Sequence, residues 1–344
     1  MAGLSSGVAA GVVAGGGGSS SARPALAEER IAASLIQLLE AGATPWRREW
    51  DPATSAHHCN LLTGRPYGGA NPVLLTLGLH LRGSELPYWC GFAEAKAAGL
   101  FPRRGSRAVH VLRPQKRQSK PAVQPSPLPL DPDPSSPPPR VWMSFRPMPL
   151  FNAADLDGPG LDALLDKRRR AAGLDQRPEP ERLARAEAAL SAWPVPVDHG
   201  FAGASYSPGR DRIALPARRA FHSSGAYYAT WAHEAVHSTG HPTRLRRELS
   251  GDHTTAAYAR EELVAELGAV LLGDRLEIGS DTMNHAAYLG SWIALLRESP
   301  GVLMAVLGDA RRAADLICPD GVSCGSTAPQ QVEALQAGSQ SQAG

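Results

Sequence analysis

No stretch of the 344-residue chain approaches the roughly 20 uninterrupted apolar residues that a membrane-spanning helix needs, so no membrane partner is expected. The first 25 residues also lack the basic start and long Leu-rich run of a secretory signal. They are small and Gly/Ser-rich and read as a disordered tail, which leaves the cytoplasm as the expected compartment. Cysteine is scarce: Cys59, Cys90, Cys318 and Cys324 are too few and too scattered for a disulfide framework. None forms the C-x-x-C pair of a thiolate zinc site, and all four are expected to be reduced. Net charge is only +2, but it is divided unevenly. Residues 26–150 carry 15 Lys/Arg against 9 Asp/Glu, whereas residues 151–344 carry 19 against 24. A first half with an excess of positive charge suits a polyanionic partner, and the second half must do something else.

What the chain does have is enough apolar residue, 43%, to fill two ordinary domain cores. Residues 26–41 place Ile31, Leu35, Leu38 and Leu39 at helical spacing and stop at Gly42, which predicts an amphipathic opening helix. Further helices are expected over 71–81 and 89–99. Short β-type runs at 109–112 and 141–145 flank a proline-rich insert, 115–140, with Pro121, Pro125, Pro127, Pro129, Pro132, Pro134, Pro137, Pro138 and Pro139. So many prolines forbid a ladder or helix there and predict an extended insertion at the tip of a hairpin. Beyond residue 150 the composition shifts to charged helix, at 161–172 and 181–193. A strand or hairpin follows at 204–215, ended by Pro216, and then helices at 224–239, 258–272, 286–296 and 302–317. Residues 319–344, rich in Gly, Ser and Gln, read as a second disordered tail.

The run WAHEAVHSTGH carries H-E-x-x-H at 233–237. On a helix, residues four apart share a face. His233 and His237 can therefore present imidazole nitrogens to one Zn2+, with Glu234 beside the open coordination position as the group that activates water. The bland alternative, two solvated histidines, fits poorly with the apolar helix around them. It also leaves unexplained the following run YAREELVAELGAVLL, where Glu261, Glu262 and Glu266 sit on a strongly apolar helix and need a cation or donor if they turn inward. Glu262 and Glu266 share a face and Glu261 points about 100° away. Glu262 is the expected third ligand and Glu266 the acceptor for a free histidine N–H, although the reverse order satisfies the same spacing. His241 lies eight positions after His233, whereas a third histidine ligand would be needed ten positions on, so it is expected to be a loop residue.

In the first half, aromatics alternate with cations. Trp46, Trp50, Tyr67, Trp89 and Phe92 are interleaved with Arg47, Arg48, Arg65, Lys96, Arg103 and Arg104. Flat rings for stacking bases and guanidinium groups for phosphates suit single-stranded nucleic acid, set against the ordinary reading of core tryptophans and solvated arginines. Trp46, Arg47, Arg48, Trp50, Arg65, Tyr67, Trp89, Arg103 and Arg104 are the expected DNA contacts.

Several longer motifs together resemble ArdC-type antirestriction proteins over about residues 26–317. These are G-x-x-P-W-x-x-x-W from Gly42 to Trp50, N-x-x-T-G-x-x-Y-x-G-x-N from Asn60 to Asn71, and R-R-G at 103–105. In the second half they are Y-S-P-x-x-D-x-I-x-L-P from Tyr206 to Pro216, Y-Y-A-T-x-x-H-E-x-x-H-x-T-G-H from Tyr227 to His241, and Y-A-R-E-E-L-V-A-E-L from Tyr258 to Leu267. The resemblance implies an α+β fold in two parts. One is an α+β single-stranded-DNA-binding domain at 26–150; the other, at 151–318, is a mainly helical zincin-like metallopeptidase domain with a small sheet. It further implies a bound Zn2+, a peptide or protein substrate, protection of incoming DNA from restriction, and a peptide-binding edge near Tyr206–Pro216. It leaves open a chain whose metal is structural and which acts through DNA binding alone.

Overall fold

The computed structural model describes residues 27–41, 57–118, 141–174, 177–250, 255–280 and 289–319. Both expected tails and most of the insert lie outside these. The opening helix forms as its pattern requires: α1, Ala27–Glu40, buries Ile31, Leu35 and Leu39 along one stripe. After β1, Cys59–Asn60, comes α2, Asn71–His80, started by Pro72 in its first turn, where a missing N–H costs nothing. The expected helix at 89–99 divides in two, because Tyr88, Trp89 and Cys90 are all buried on both faces and form the central strand β2, Tyr88–Cys90. Gly91 then starts the shorter α3, Phe92–Ala97, and its N–H donates to Glu94 Oε2 at 2.8 Å.

Strand β3, Phe101–Pro102, precedes the long arms β4, Val109–Gln118, and β5, Val141–Asn152. These arms pair antiparallel from Val109↔Leu150 to Gln118↔Val141, so the expected hairpin is there and its ladder reaches into the segment read as insert. Pro114, Pro147 and Pro149 are tolerated because β4 is an edge strand and β5 pairs β2 only at its far end, so each proline can face an unpaired side. The sheet order is β1-β2-β5-β4, with β1 parallel to β2. Strand β6, Leu156–Asp157, pairs with β3, and the helices α4, Leu161–Leu174, and α5, Glu179–Ser191, follow.

A separate sheet of three strands, β7 (Val197–His199), β8 (Ser205–Ser207) and β9 (Arg212–Leu215), has the order β7-β9-β8. It lies against α6, Ser224–Thr239, which packs on α7, Ala256–Leu276, while α8, Leu289–Glu298, and α9, Val302–Ile317, complete the helical layer. The fold is α+β, as expected. One core joins α1 and half of α2 to α5–α9; two smaller cores lie around Leu61, Tyr88 and Leu156 and around Leu75, Trp89 and Val111. Cys59 and Cys90 are free thiols, whereas Cys318 is disulfide-bonded, which corrects the expectation of reduced cysteines at that position. Among the described residues no helix is long and apolar enough to cross a membrane.

Candidate metal centre and basic surface

Two capped helices build the centre. Ser223 Oγ accepts from the Ala226 N–H at 3.1 Å and starts α6, and Thr255 Oγ1 accepts from Tyr258 N–H at 3.1 Å and starts α7. The two helices approach closely because Gly268 lies under Val236; a Cβ there would stand 2.7 Å from a Val236 methyl. That contact brings the histidine face of α6 over the acidic face of α7.

His233 Nε2 and His237 Nε2 converge to 3.2 Å, and the Glu262 carboxylate faces both, 3.7 Å from the first and 3.6 Å from the second. All three donor atoms lie within 4.8 Å of one another. Two imidazole nitrogens and one carboxylate oxygen, turned to a common point, match the donor set of a catalytic zincin-type site that keeps a fourth position open. A divalent ion fits this set on its chemistry. Glu234 is buried beside it and accepts the backbone N–H of Tyr206 on β8; burial holds its carboxyl above the ordinary range. His241 is in the loop after α6, with Nδ1 2.8 Å from Thr243 Oγ1, and is not part of the converging set.

The far nitrogens face different carboxylates, and only that of His237 is within hydrogen-bond distance of one. Glu266 Oε2 faces His233 Nδ1 at 3.7 Å, beyond hydrogen-bond length. Glu261 Oε1 lies 3.1 Å from His237 Nδ1 and is itself gripped by Arg247, whose Nε donates to Oε2 at 2.8 Å and Nη2 to Oε1 at 2.9 Å. Arg247 also donates to Thr239 Oγ1 and to the Val236 carbonyl. Burial opposes ionisation of Glu261, but these bonds from Arg247 and His237 pull its carboxyl below the usual range. Tyr258, one turn before Glu262, hydrogen-bonds that carboxylate; against the cost of burial, His233, His237 and Tyr258 bring it down to about 2. Sequence reasoning missed Glu261, Arg247 and Tyr258 as supports. The available signal was charge balance: a buried helix with three glutamates needs more cation than one metal site supplies.

His233 has the largest consequence for metal uptake. Burial alone would lower its pKa, yet Glu262, Glu234 and Glu266 surround it and raise it from 6.5 to about 9. In the metal-free chain this contribution to stability is fully present below about pH 6.5 and is lost as pH rises through about 9. Metal uptake runs the other way, since a ligand nitrogen must first lose its proton. Titration of the metal-free chain at pH 7.5 by calorimetry, in buffers of different ionisation enthalpy, is expected to show about one proton released per ion. Release of none would mean that His233 is already neutral.

The expected DNA contacts fare unevenly. Arg65, Arg103 and Arg104 are exposed. Tyr67 is half-buried, and its hydroxyl accepts from Asn60 Nδ2 at 3.4 Å. Trp89 is wholly buried in β2, with Nε1 donating to His58 Nδ1 at 3.1 Å, so its ring has no face to offer a base; this corrects the expectation. Trp46, Arg47, Arg48 and Trp50 lie outside the described residues. The sequence reading missed Phe101 and Phe145, both about half exposed, and the hairpin pair Arg113↔Arg146, where like charges stand directly opposite.

Two family models match this chain, the N-terminal domain of anti-restriction factor ArdC over residues 26–127 and a zincin-like metallopeptidase domain over residues 184–306. A crystal structure of the antirestriction ArdC protein from plasmid R388, metal-free, superposes with a TM-score of 0.60 at 27% identity, covering 84% of this chain and 96% of that one. The chain therefore joins an ArdC-type N-terminal domain to a zincin-like metallopeptidase domain in an ArdC-like two-part fold. The Mn(II)-bound structure of the same R388 protein matches with a TM-score of 0.56 at 26% identity, over the same shares of the two chains. Together with the donor set above, it indicates a divalent metal for the ArdC-like fold. A DNA primase TraC of Escherichia coli is 34% identical over 84% of this chain, but this chain spans only 27% of that primase's length.

Proposed function

We propose that this ArdC-like chain is a cytoplasmic, single-stranded-DNA-binding metallopeptidase that uses zinc and acts in antirestriction. The observation that carries the enzymatic half is the convergence of His233, His237 and Glu262 beside a buried Glu234. His233, His237 and Glu262 would hold the ion. When bound, a divalent ion there supplies Lewis acidity, polarising a peptide carbonyl and making water acidic enough to attack near neutral pH. Glu234 takes the proton as the water oxygen bonds to the carbonyl carbon, and delivers it to the amine nitrogen as the C–N bond breaks. The Tyr206 N–H fixes the Glu234 carboxylate for that transfer, and the short exposed edge of β8 is where an extended peptide would lie. Glu261 and Arg247 hold His237, and Glu266 stands behind His233.

The DNA-binding half is assigned to residues 26–150, with the zincin-like half at 151–318. Its contacts are drawn from Arg65, Tyr67, Arg103 and Arg104, together with Trp46, Arg47, Arg48 and Trp50 by their pattern in the sequence. Chain loaded with zinc, chain loaded with manganese and metal-free chain test the whole reading, each assayed for degradation of an unfolded protein and for binding of an oligo-dT. The loaded forms are expected to cleave, and all three are expected to bind DNA with affinity falling steeply as salt rises. Binding by all three with cleavage by none would make the ion structural and the protein a DNA-binding one only.

A further inference from the structure

We propose that single-stranded DNA runs through the cleft between α1, α2 and the segment leading into β4, so that the opening helix is part of the nucleic-acid site. The proposal rests on the single-stranded-DNA reading above and specifies where that strand lies. The cleft has a volume of about 920 Å3. Its walls carry Arg30 from α1, Arg82 from the turn after α2, Arg107 from the segment leading into β4, and His110 from the start of β4. Among the described residues Asp155 is the single carboxylate lining it, and that group is already held by Arg82 Nε at 2.6 Å.

The rim adds to the same sign. Arg103 and Arg104 are exposed in the turn that enters the cleft at Gly105, whose φ of +90° closes the turn. That turn is fixed in place: the Arg103 N–H donates to the Asp155 carbonyl at 2.8 Å, Ser106 Oγ donates to the same carbonyl at 3.2 Å, and Ser106 N–H donates to the Arg103 carbonyl at 3.0 Å. Burial and the Arg30 charge together hold the His110 imidazole below its ordinary pKa, as expected where positive potential accumulates. The floor is aliphatic, with Leu74, Leu77 and the 40% exposed Leu81.

Cations along the rim and an apolar floor between them match the two faces of a single strand, phosphates outward and bases inward. A duplex keeps its bases stacked inside and has nothing to give an aliphatic floor. An acidic protein segment would satisfy the arginines, but its carboxylates would gain nothing from Leu77 and Leu81. Contact with base faces through aliphatic side chains carries little donor or acceptor pattern, so weak sequence preference goes with this site.

Fluorescence anisotropy of a labelled oligo-dT on the full chain, at several salt concentrations, tests the placement. Two variants attack the cleft differently: R30E/R107E reverses exposed charges, and A33W fills the cleft from the exposed side of α1. R210E/R219E makes the same change in net charge at exposed positions of the other domain. Binding by R30E/R107E is expected to weaken at least about tenfold, with the salt slope reduced by about two, A33W to weaken as well, and R210E/R219E to match wild type. Wild-type affinity in either cleft variant overturns the placement while leaving DNA binding intact. Polyglutamate competing as well as unlabelled oligo-dT would overturn it in favour of an acidic protein partner. A wild-type chain that binds no oligo-dT at low salt would instead remove the reading on which the placement rests.

Discussion

Glu234→Gln is expected to leave the metal bound and the fold intact while lowering peptide hydrolysis by about 10²–10⁴-fold, the range of a lost general base. The glutamine carbonyl keeps the shape of the side chain and can still accept the Tyr206 N–H, so that donor is not left unpaired. It cannot take a proton from the attacking water. Glu234 is outside the converging set of His233, His237 and Glu262, so metal content measured by elemental analysis should match wild type. Cleavage at the wild-type rate by a metal-replete Glu234→Gln chain would show that another group accepts the proton. Loss of metal together with loss of cleavage would show that Glu234 is part of the coordination sphere.

The parts of this centre that were legible in the sequence are those set by a single helix. Spacing of four puts His233 and His237 on one face of α6, and Glu262 and Glu266 on one face of α7, whatever the helices pack against. What spacing could not decide was which carboxylate meets which nitrogen, because that depends on how α6 crosses α7. Spacing alone turns Glu261 away, about 100° from Glu262 around the helix. The two imidazoles converge through Nε2 and direct Nδ1 to separate places, so Glu261 reaches the Nδ1 of His237 while Glu266 stands 3.7 Å from that of His233. Arg247 was hidden for a different reason. It comes from the loop after α6, and nothing periodic announces a loop residue that folds back under a helix.

The same limit explains Trp89. Lys96, Arg103 and Arg104, which follow it in the chain, make the local composition look like a stacking surface, while the strand that buries it is only three residues long and too short to show alternation. Exposed rings in this half are instead at Phe92, Phe101 and Phe145, at the start of α3, on the short strand β3 and on the hairpin arm β5.

Removing Arg247 is expected to cost about 3–5 kcal/mol of stability, because it leaves Glu261 buried without its cation. The side chains are 4% and 7% exposed, so solvent does little to screen the loss. Arg247→Met and Glu261→Leu, singly and together, separate two roles that one variant would confuse. The double variant replaces a buried ion pair by apolar side chains of similar length and should recover most of the stability in urea denaturation of the metal-free chain. It should not recover the metal site: with no carboxylate on His237 Nδ1, affinity measured against a chelator is expected to stay about 10–100-fold below wild type. Stability and metal affinity returning together would mean that the pair only braces α6 against α7. If stability returns and affinity does not, Arg247 and Glu261 hold the His237 ring for the ion, and the reach of the metal site extends through a loop that H-E-x-x-H does not include.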